Sequence, residues 1–212
     1  MKRSEPHLSR LERGRLLFSL VEAQQEEQDI CNLRFENEEL EGFEGERLEF
    51  RGCVFSGCRL AGNRLRQISF TDCLLEGCDL SNLDCSDGVT QRVIFRGCKA
   101  VGLDFCQGFF QNTLFEDCDL RYANLNQSVL KEAEFRRCNL TGATLDDCDA
   151  RSFSLEECDL TGANLRRLPL GGKDLRSCRL DGVILVGEEL QGAIISVEQA
   201  LELVRFLGVE VR

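Results

Sequence analysis

Hydrophobic residues return along most of this chain with a period of five. Between Phe50 and Ile195, thirty positions carry numbers divisible by five, and twenty-six of them are Leu, Phe or Ile. The exceptions are Cys85, Thr90, Ala100 and Ala150, and the phase can be followed back through Phe35 to Ile30. Two residues before each such position lies a second inward slot, filled by small or apolar residues such as Cys53, Ile68, Cys73, Ala123, Ala133, Ala143 and Ala163. An α-helix repeats its buried face every ~3.6 residues and a half-buried strand every ~2, and neither places two residues in five on one side. The pattern predicts a solenoid: each five-residue unit forms one short side, and four sides close a square coil.

Two columns support four sides in particular. Ten of the thirteen cysteines occupy the smaller slot, and seven of them, Cys58, Cys78, Cys98, Cys118, Cys138, Cys158 and Cys178, are spaced twenty residues apart. In a twenty-residue coil such residues lie directly above one another. Glycine marks one corner at the same interval, with Gly42, Gly62, Gly102, Gly142, Gly162 and Gly182, the gaps being filled by Asn82 and Tyr122. A type II turn needs a positive φ there, which Gly or Asn supplies at little cost. Residues 30–195 then form about eight coils, a rod roughly 40 Å long at ~4.8 Å per stacked strand.

The end coils of a solenoid expose its core and need caps. Residues 1–29 are predicted as an N-terminal helical arm that caps the first coil or lies along it, because Leu8, Leu11, Leu16, Leu17, Leu20 and Val21 recur at loosely helical spacing. Residues 196–212 are predicted as a C-terminal helix and dimerisation module. Ser196 with Gln199 forms a capping box, Gly208 a C-terminal stop, and Val197, Ala200, Leu201, Val204 and Leu207 one apolar stripe. Part of that stripe would cover the last coil, and the rest would pair with a second copy across a two-fold axis.

A net charge of −11 argues against direct nucleic-acid binding, which needs a basic footprint. No apolar run approaches the ~20 residues of a membrane-spanning helix. The short apolar cluster "LLFSLV" is followed by "EAQQEEQD" rather than a small-residue cleavage site, so a cytoplasmic location is expected, where cysteines stay as thiols. The cysteine column then reads as packing, since free cysteine behaves as a small buried hydrophobe. Stacked coils hold Cβ atoms farther apart than the ~3.8 Å of a disulfide. Zinc would want a tetrahedral cluster, yet there is no Cys-x-x-Cys and the single histidine is His7. Without a Ser–His–Asp set or a phosphate loop, neither an enzyme nor a cofactor or small-molecule substrate is expected. The off-slot Cys31 and Cys106 leave a thiol sensor as a minor alternative.

The repeat resembles the pentapeptide repeat family, whose motif Ala-(Asp/Asn)-Leu-x-x is close to "ANLNQ" (Ala123–Gln127), "ANLRR" (Ala163–Arg167) and "CDLTG" (Cys158–Gly162). The resemblance implies an all-β fold, a right-handed quadrilateral β-helix. The tail "SVEQALELVRFLGVEVR" after "LQGAI", and the stretch from Cys78 to Phe105 followed by "LRYANL", are similar to the quinolone-resistance (Qnr-type) branch. In that branch an acidic rod of about duplex width binds DNA gyrase or topoisomerase IV in place of DNA, and the corresponding helix builds a head-to-head homodimer. Several of its members carry two loops between coils; the unbroken phase here leaves no room for them.

The surface positions bear on that implication. Residues 30–195 carry 28 acidic and 19 basic side chains. One outward column alternates in sign, as Glu76, Arg96, Glu116, Arg136, Glu156 and Arg176, and a neighbouring one runs Arg59, Asp79, Lys99, Asp119. These are expected to be ion-pair ladders, each exposed pair worth about 0.2–1 kcal/mol. Acid concentrates instead at Glu36, Glu38, Glu39, Glu41, Glu44, Glu46 and Glu49, and at Asp146, Asp147 and Asp149. An apolar column, Val54, Leu74, Ile94 and Leu114, occupies positions that should face solvent, with Val89, Phe109 and Val129 on the adjacent side. It is either a partner surface, which would make the protein a scaffold for another cytosolic partner, or a face covered by the N-terminal arm or tolerated in water.

Overall fold

A computed structural model of the chain describes residues 4–207. The chain winds into a right-handed quadrilateral β-helix of short parallel strands. Val89 lies opposite Phe109 and Phe109 opposite Val129, so each coil consumes twenty residues. Side A carries inward Phe50, Phe70, Thr90, Phe110, Leu130 and Ala150, and side B Phe55, Leu75, Phe95, Phe115, Phe135 and Leu155. Side C carries Leu60, Leu80, Ala100, Leu120, Leu140 and Leu160, and side D Leu65, Cys85, Phe105, Leu125, Leu145 and Leu165. All of these are buried and fill the bore of the rod. The regular stack makes about seven turns, slightly fewer than the eight expected. Strand pairing stops at Glu156, and later coils touch through single bridges such as Asp159–Arg179 and Asn164–Ile184.

The corner marked by glycine does have positive φ, including 53° at Asn82 and 58° at Tyr122. The other three corners share it, as at Asp72 (54°), Gln107 (59°) and Asp117 (55°). Those corners mix glycine (Gly52, Gly57, Gly77 and Gly97) with Asp, Asn, Gln, Arg and Glu, so composition marks them less clearly; where the residue is not glycine, the stacked coils supply the energy that holds it in the left-handed region. Gly142 has a second constraint, because a Cβ there would lie 2.7 Å from the Tyr122 ring.

Corners close in two ways, and this explains the cysteines. On side C the inward residue accepts a turn bond three residues on, as Ala123 N–H to Leu120 O (3.1 Å) and Ala143 N–H to Leu140 O (3.0 Å). On side B the turn is wider and that carbonyl is left inside the bore. It receives a thiol from the coil above: Cys98 Sγ reaches Leu75 O at 3.4 Å, Cys118 reaches Phe95 O at 3.4 Å and Cys138 reaches Phe115 O at 3.3 Å. On side D, Ser128 Oγ adds a second bond to Phe105 O at 3.0 Å, a carbonyl that already accepts the turn bond from Gly108 N–H (2.9 Å). The cysteine is therefore a donor to a buried carbonyl as well as a small hydrophobe. Removing a donor from a buried acceptor costs about 1–3 kcal/mol. Cys118→Ala is thus expected to be less stable than Cys118→Ser in urea unfolding. If the slot were purely hydrophobic, the order would invert.

Both ends are capped. Helix α1 (Leu16–Glu26) buries Leu16, Leu20 and Ala23 against the first coil. The residues before it are extended rather than helical: Glu12–Arg13 pairs with Leu33–Arg34 as an added edge strand. Helix α2 (Val197–Leu203) opens with the Ser196–Gln199 capping box. The Gln199 carboxamide also donates to Leu175 O (2.8 Å) and Cys178 O (2.7 Å), tying the helix to the last coils. Gly208 lies outside the described residues.

Candidate interaction surfaces

The apolar column on side B is not a free surface. Val54, Ile94 and Leu114 are buried and Leu74 is half-buried. An extended N-terminal strap runs beside them along the corner between sides A and B. Ser4 N–H donates to Asn112 Oδ1 (3.1 Å), His7 N–H to Asp72 Oδ1 (2.9 Å), Ser9 Oγ to Asn32 Oδ1 (2.7 Å) and Glu12 N–H to Asn32 O (3.0 Å). Asp72 is the central latch, since Arg92 grips both its oxygens at 2.7 Å. Burial pushes this carboxyl up, but the Arg92 fork and the His7 amide outweigh it and hold the group below the usual aspartate range. On side A, Val89 remains exposed, whereas Phe109 and Val129 are half-buried.

Charge is distributed unevenly among the sides. Arg96 bridges Glu116 at 3.0 Å and Glu76 at 3.6 Å, and Arg136 reaches Glu156 at 3.5 Å, so the alternating column is a ladder in two segments, broken where Glu116 turns to Arg137 (3.0 Å) and Arg136 to Glu134. It ends at Glu156, because Arg176 pairs with Asp174 (2.6 Å). The first-coil acids are largely matched, Glu39 by Arg59 and Glu44 by Arg64. Side D differs. Across four successive coils, residues 82–88, 102–108, 122–128 and 142–148 contain Asp84, Asp87, Asp104, Asp146 and Asp147 and neither Lys nor Arg. Among the described residues, cations reach it only from the neighbouring coils at its two ends: Arg66 to Asp84 at 2.9 Å, and Arg167 to Asp146 and Asp147 at 2.9 and 3.4 Å. Asp149 is exposed on the adjacent side.

At the C-terminal end the predicted stripe divides. Val197, Ala200 and Leu201 are exposed and Val204 is half-buried, while Leu203, outside the stripe, is the side chain that seals the core. The side chain of Leu207 lies outside the described residues. All seven ladder cysteines are buried free thiols. Burial pushes the Cys148 thiol up to about 11 and raises Cys85 further from the thiolate range. Cys31 is exposed and Cys106 half-buried, and both are raised by partial burial and by the carboxylates of Asp29 and Asp104 respectively. A sensor thiol needs the opposite surroundings. Among the described residues, no group of His, Cys, Asp and Glu side chains is placed to hold a metal ion, and no helix is long and apolar enough to cross a membrane.

A capped quadrilateral β-helix with its features on the outer faces is a protein that presents surfaces. Two family models match it: a pentapeptide repeat region over residues 68–145, and pentapeptide repeats (8 copies) over residues 49–84, 138–172 and 154–196. The chain belongs to the pentapeptide repeat family. Among solved structures it is similar to a trypsin-treated form of QnrB1, a plasmid-mediated fluoroquinolone resistance protein, at 23% identity and a TM-score of 0.47, covering 87% of this chain and 92% of that one. It is also similar to HetL, involved in heterocyst differentiation regulation in the cyanobacterium Nostoc sp. strain PCC 7120, at 16% identity and a TM-score of 0.39, covering 84% and 93%. Rfr23 from the cyanobacterium Cyanothece 51142 matches at 16% identity and a TM-score of 0.20, covering 85% and 99%. No curated protein matches the chain significantly.

Proposed function

We propose that this protein is a non-enzymatic, Qnr-like binder of type II topoisomerases, DNA gyrase or topoisomerase IV, acting as a homodimer. The observation that carries the reading is side D, a face four coils tall with five aspartates and no basic residue of its own. A surface that takes the place of DNA needs acid without base interleaved in every coil, which the alternating ladders elsewhere cannot supply; side D has an uncharged coil at residues 122–128 and meets Arg66 and Arg167 at its two ends. The tail and the Cys78–Phe105 stretch resemble the same branch in sequence. The exposed Val197, Ala200 and Leu201 leave an apolar patch on α2 suited to a second copy, since an isologous contact uses the same patch twice.

The test is gyrase supercoiling with the purified protein titrated in, with and without a fluoroquinolone. Inhibition or rescue is expected at micromolar protein. Asp104→Lys with Asp147→Lys should weaken it about tenfold, the equivalent of ~1.4 kcal/mol. Val197→Glu with Leu201→Glu should give a monomer by light scattering with an unchanged β-helix spectrum. No effect on gyrase or topoisomerase IV from a matched host, or an effect indifferent to the aspartates, would remove this reading.

A further inference from the structure

Between the strand Asp149–Glu156 and the next coil, residues 169–176, the stack comes apart on sides A and B. Sides C and D stay joined there, through Arg179 N–H to Cys158 O (2.9 Å) and Ile184 N–H to Ala163 O (2.8 Å), and the corner after side B is pinned by Glu157 N–H to Ser177 Oγ (3.0 Å). In earlier coils the equivalent side-B amides bond downward, as Leu74 N–H to Cys53 O (3.0 Å) and Ile94 N–H to Cys73 O (3.1 Å). Among the described residues no such bond links Asp174 N–H to the Phe153 carbonyl. The side chains part at the same place, with Arg176 paired to Asp174 instead of Glu156.

The cause is legible in the chain. Asp149 N–H donates to Ser128 O at 3.0 Å, but twenty residues on stands Pro169, which has no N–H to give. Residues 169–176 stack instead on the coil that follows, through Leu170 N–H to Glu189 O (3.1 Å) and Leu175 N–H to Ile194 O (2.8 Å). The last coils and α2 thereby form a unit set off from the rod by a crevice of about 720 Å³. Its walls are Phe153–Glu156 on one side and Gly172, Lys173, Asp174, Arg176 and Ser177 on the other.

This is an open parallel-sheet edge inside a rod whose other coils are paired, and an open edge is a template for a further strand. It also carries an uncompensated charge. Lys173 Nζ lies 4.7 Å from the centre of the Phe153 ring and makes no ion pair among the described residues. The neighbouring charges are matched, Arg176 with Asp174 and Glu156 with Arg136. Burial alone pulls the Lys173 ammonium below the usual lysine range, and an incoming carboxylate would reverse that.

We propose that this crevice receives one extended peptide segment of a protein partner, which pairs its backbone with the open edge at Phe153–Glu156 and sets an Asp or Glu against Lys173. Four to six residues, about 13–20 Å at ~3.3 Å each, span it. The site is independent of side D and of the topoisomerase reading.

The test is selection of a random octapeptide phage library on the full-length protein, followed by anisotropy with the enriched peptides. The expected consensus alternates apolar and acidic residues. Its affinity should fall at least about tenfold with Lys173→Glu, survive Lys173→Arg, and be lost when alternate peptide amides are N-methylated. Pro169→Val, which restores the missing N–H at an exposed position, should draw the seam shut and weaken binding in a protein with unchanged circular dichroism. Failure to enrich any acidic consensus, or binding indifferent to Lys173→Glu, to Pro169→Val or to N-methylation, would overturn the proposal.

Discussion

Phe115→Ala is expected to destabilise the protein by about 3–5 kcal/mol, the largest loss from any single side chain in the rod. Its ring is 1% exposed and stacks between Phe95, at 4.6 Å and 6° between planes, and Phe135, at 5.1 Å and 4°. Each stacked pair contributes about 0.5–1.5 kcal/mol beyond the area it buries. The residue is also placed where the loss does most damage. In a solenoid each coil touches only its neighbours, so a weak rung in the middle uncouples the two halves. Urea unfolding followed by circular dichroism should therefore show a lower midpoint and a shallower transition. Two controls separate stacking from simple volume. Tyr122→Ala, with a 64% exposed ring, should change stability by no more than ~0.5 kcal/mol. Phe153→Ala removes a buried ring beside the crevice, where the coil above has already parted from the strand, and should cost less than Phe115→Ala. A loss at Phe115 under about 1 kcal/mol, or one matched at Phe153, would contradict a continuous aromatic stack as the rod's main support.

How much of this was legible in the chain follows from the kind of interaction involved. The coil, its four sides and the buried cysteine column are periodic, and each coil repeats the demand, so residues as far apart as Cys58 and Cys178 report the same slot. The Ser196–Gln199 box is local and equally readable. The strap is neither. Ser4 meets Asn112 across 108 residues through a backbone N–H, which leaves no mark on side-chain type. The leucines before α1 suggested helix, but an added edge strand at Glu12–Arg13 satisfies its backbone against the first coil instead. At the other end, helical spacing selected the stripe Val197–Leu207. Which face docks is set by the angle at which Gln199 ties the helix to Leu175 and Cys178, and that angle turned Leu203 inward. The seam at Pro169 was hidden for the reverse reason. Leu168 and Leu170 keep the five-residue phase through it, so side-chain periodicity continues where backbone pairing stops.

Removing residues 1–11 is the second change expected to have a large effect, because it strips the strap and leaves α1 in place. Val54, Ile94 and Leu114 would pass from buried to exposed, at about 1.5–3 kcal/mol for each side chain fully uncovered. The shortened protein should bind a hydrophobic dye strongly, aggregate at concentrations where the full chain does not, and unfold at lower urea. Asp72→Asn should reproduce a milder form of this by disarming the latch without shortening the chain. The pH dependence has a definite sign. The Asp72 carboxyl sits below the usual aspartate range in the folded protein, so its contribution is complete above that range and fades as pH falls through the lower folded value. Dye binding by the full chain should therefore rise on acidification below the ordinary carboxylate range, while Asp72→Asn should already bind dye at neutral pH and respond less. The same experiment decides whether the side-B column has any role as a partner surface. If the shortened chain captures dye, the column is a hydrophobic face that the strap conceals, and a partner could reach it only by displacing residues 4–13. If dye binding stays at the level of the full chain, these side chains are buried by their neighbours within the coils, the strap is an appendage, and no partner surface exists on side B at all.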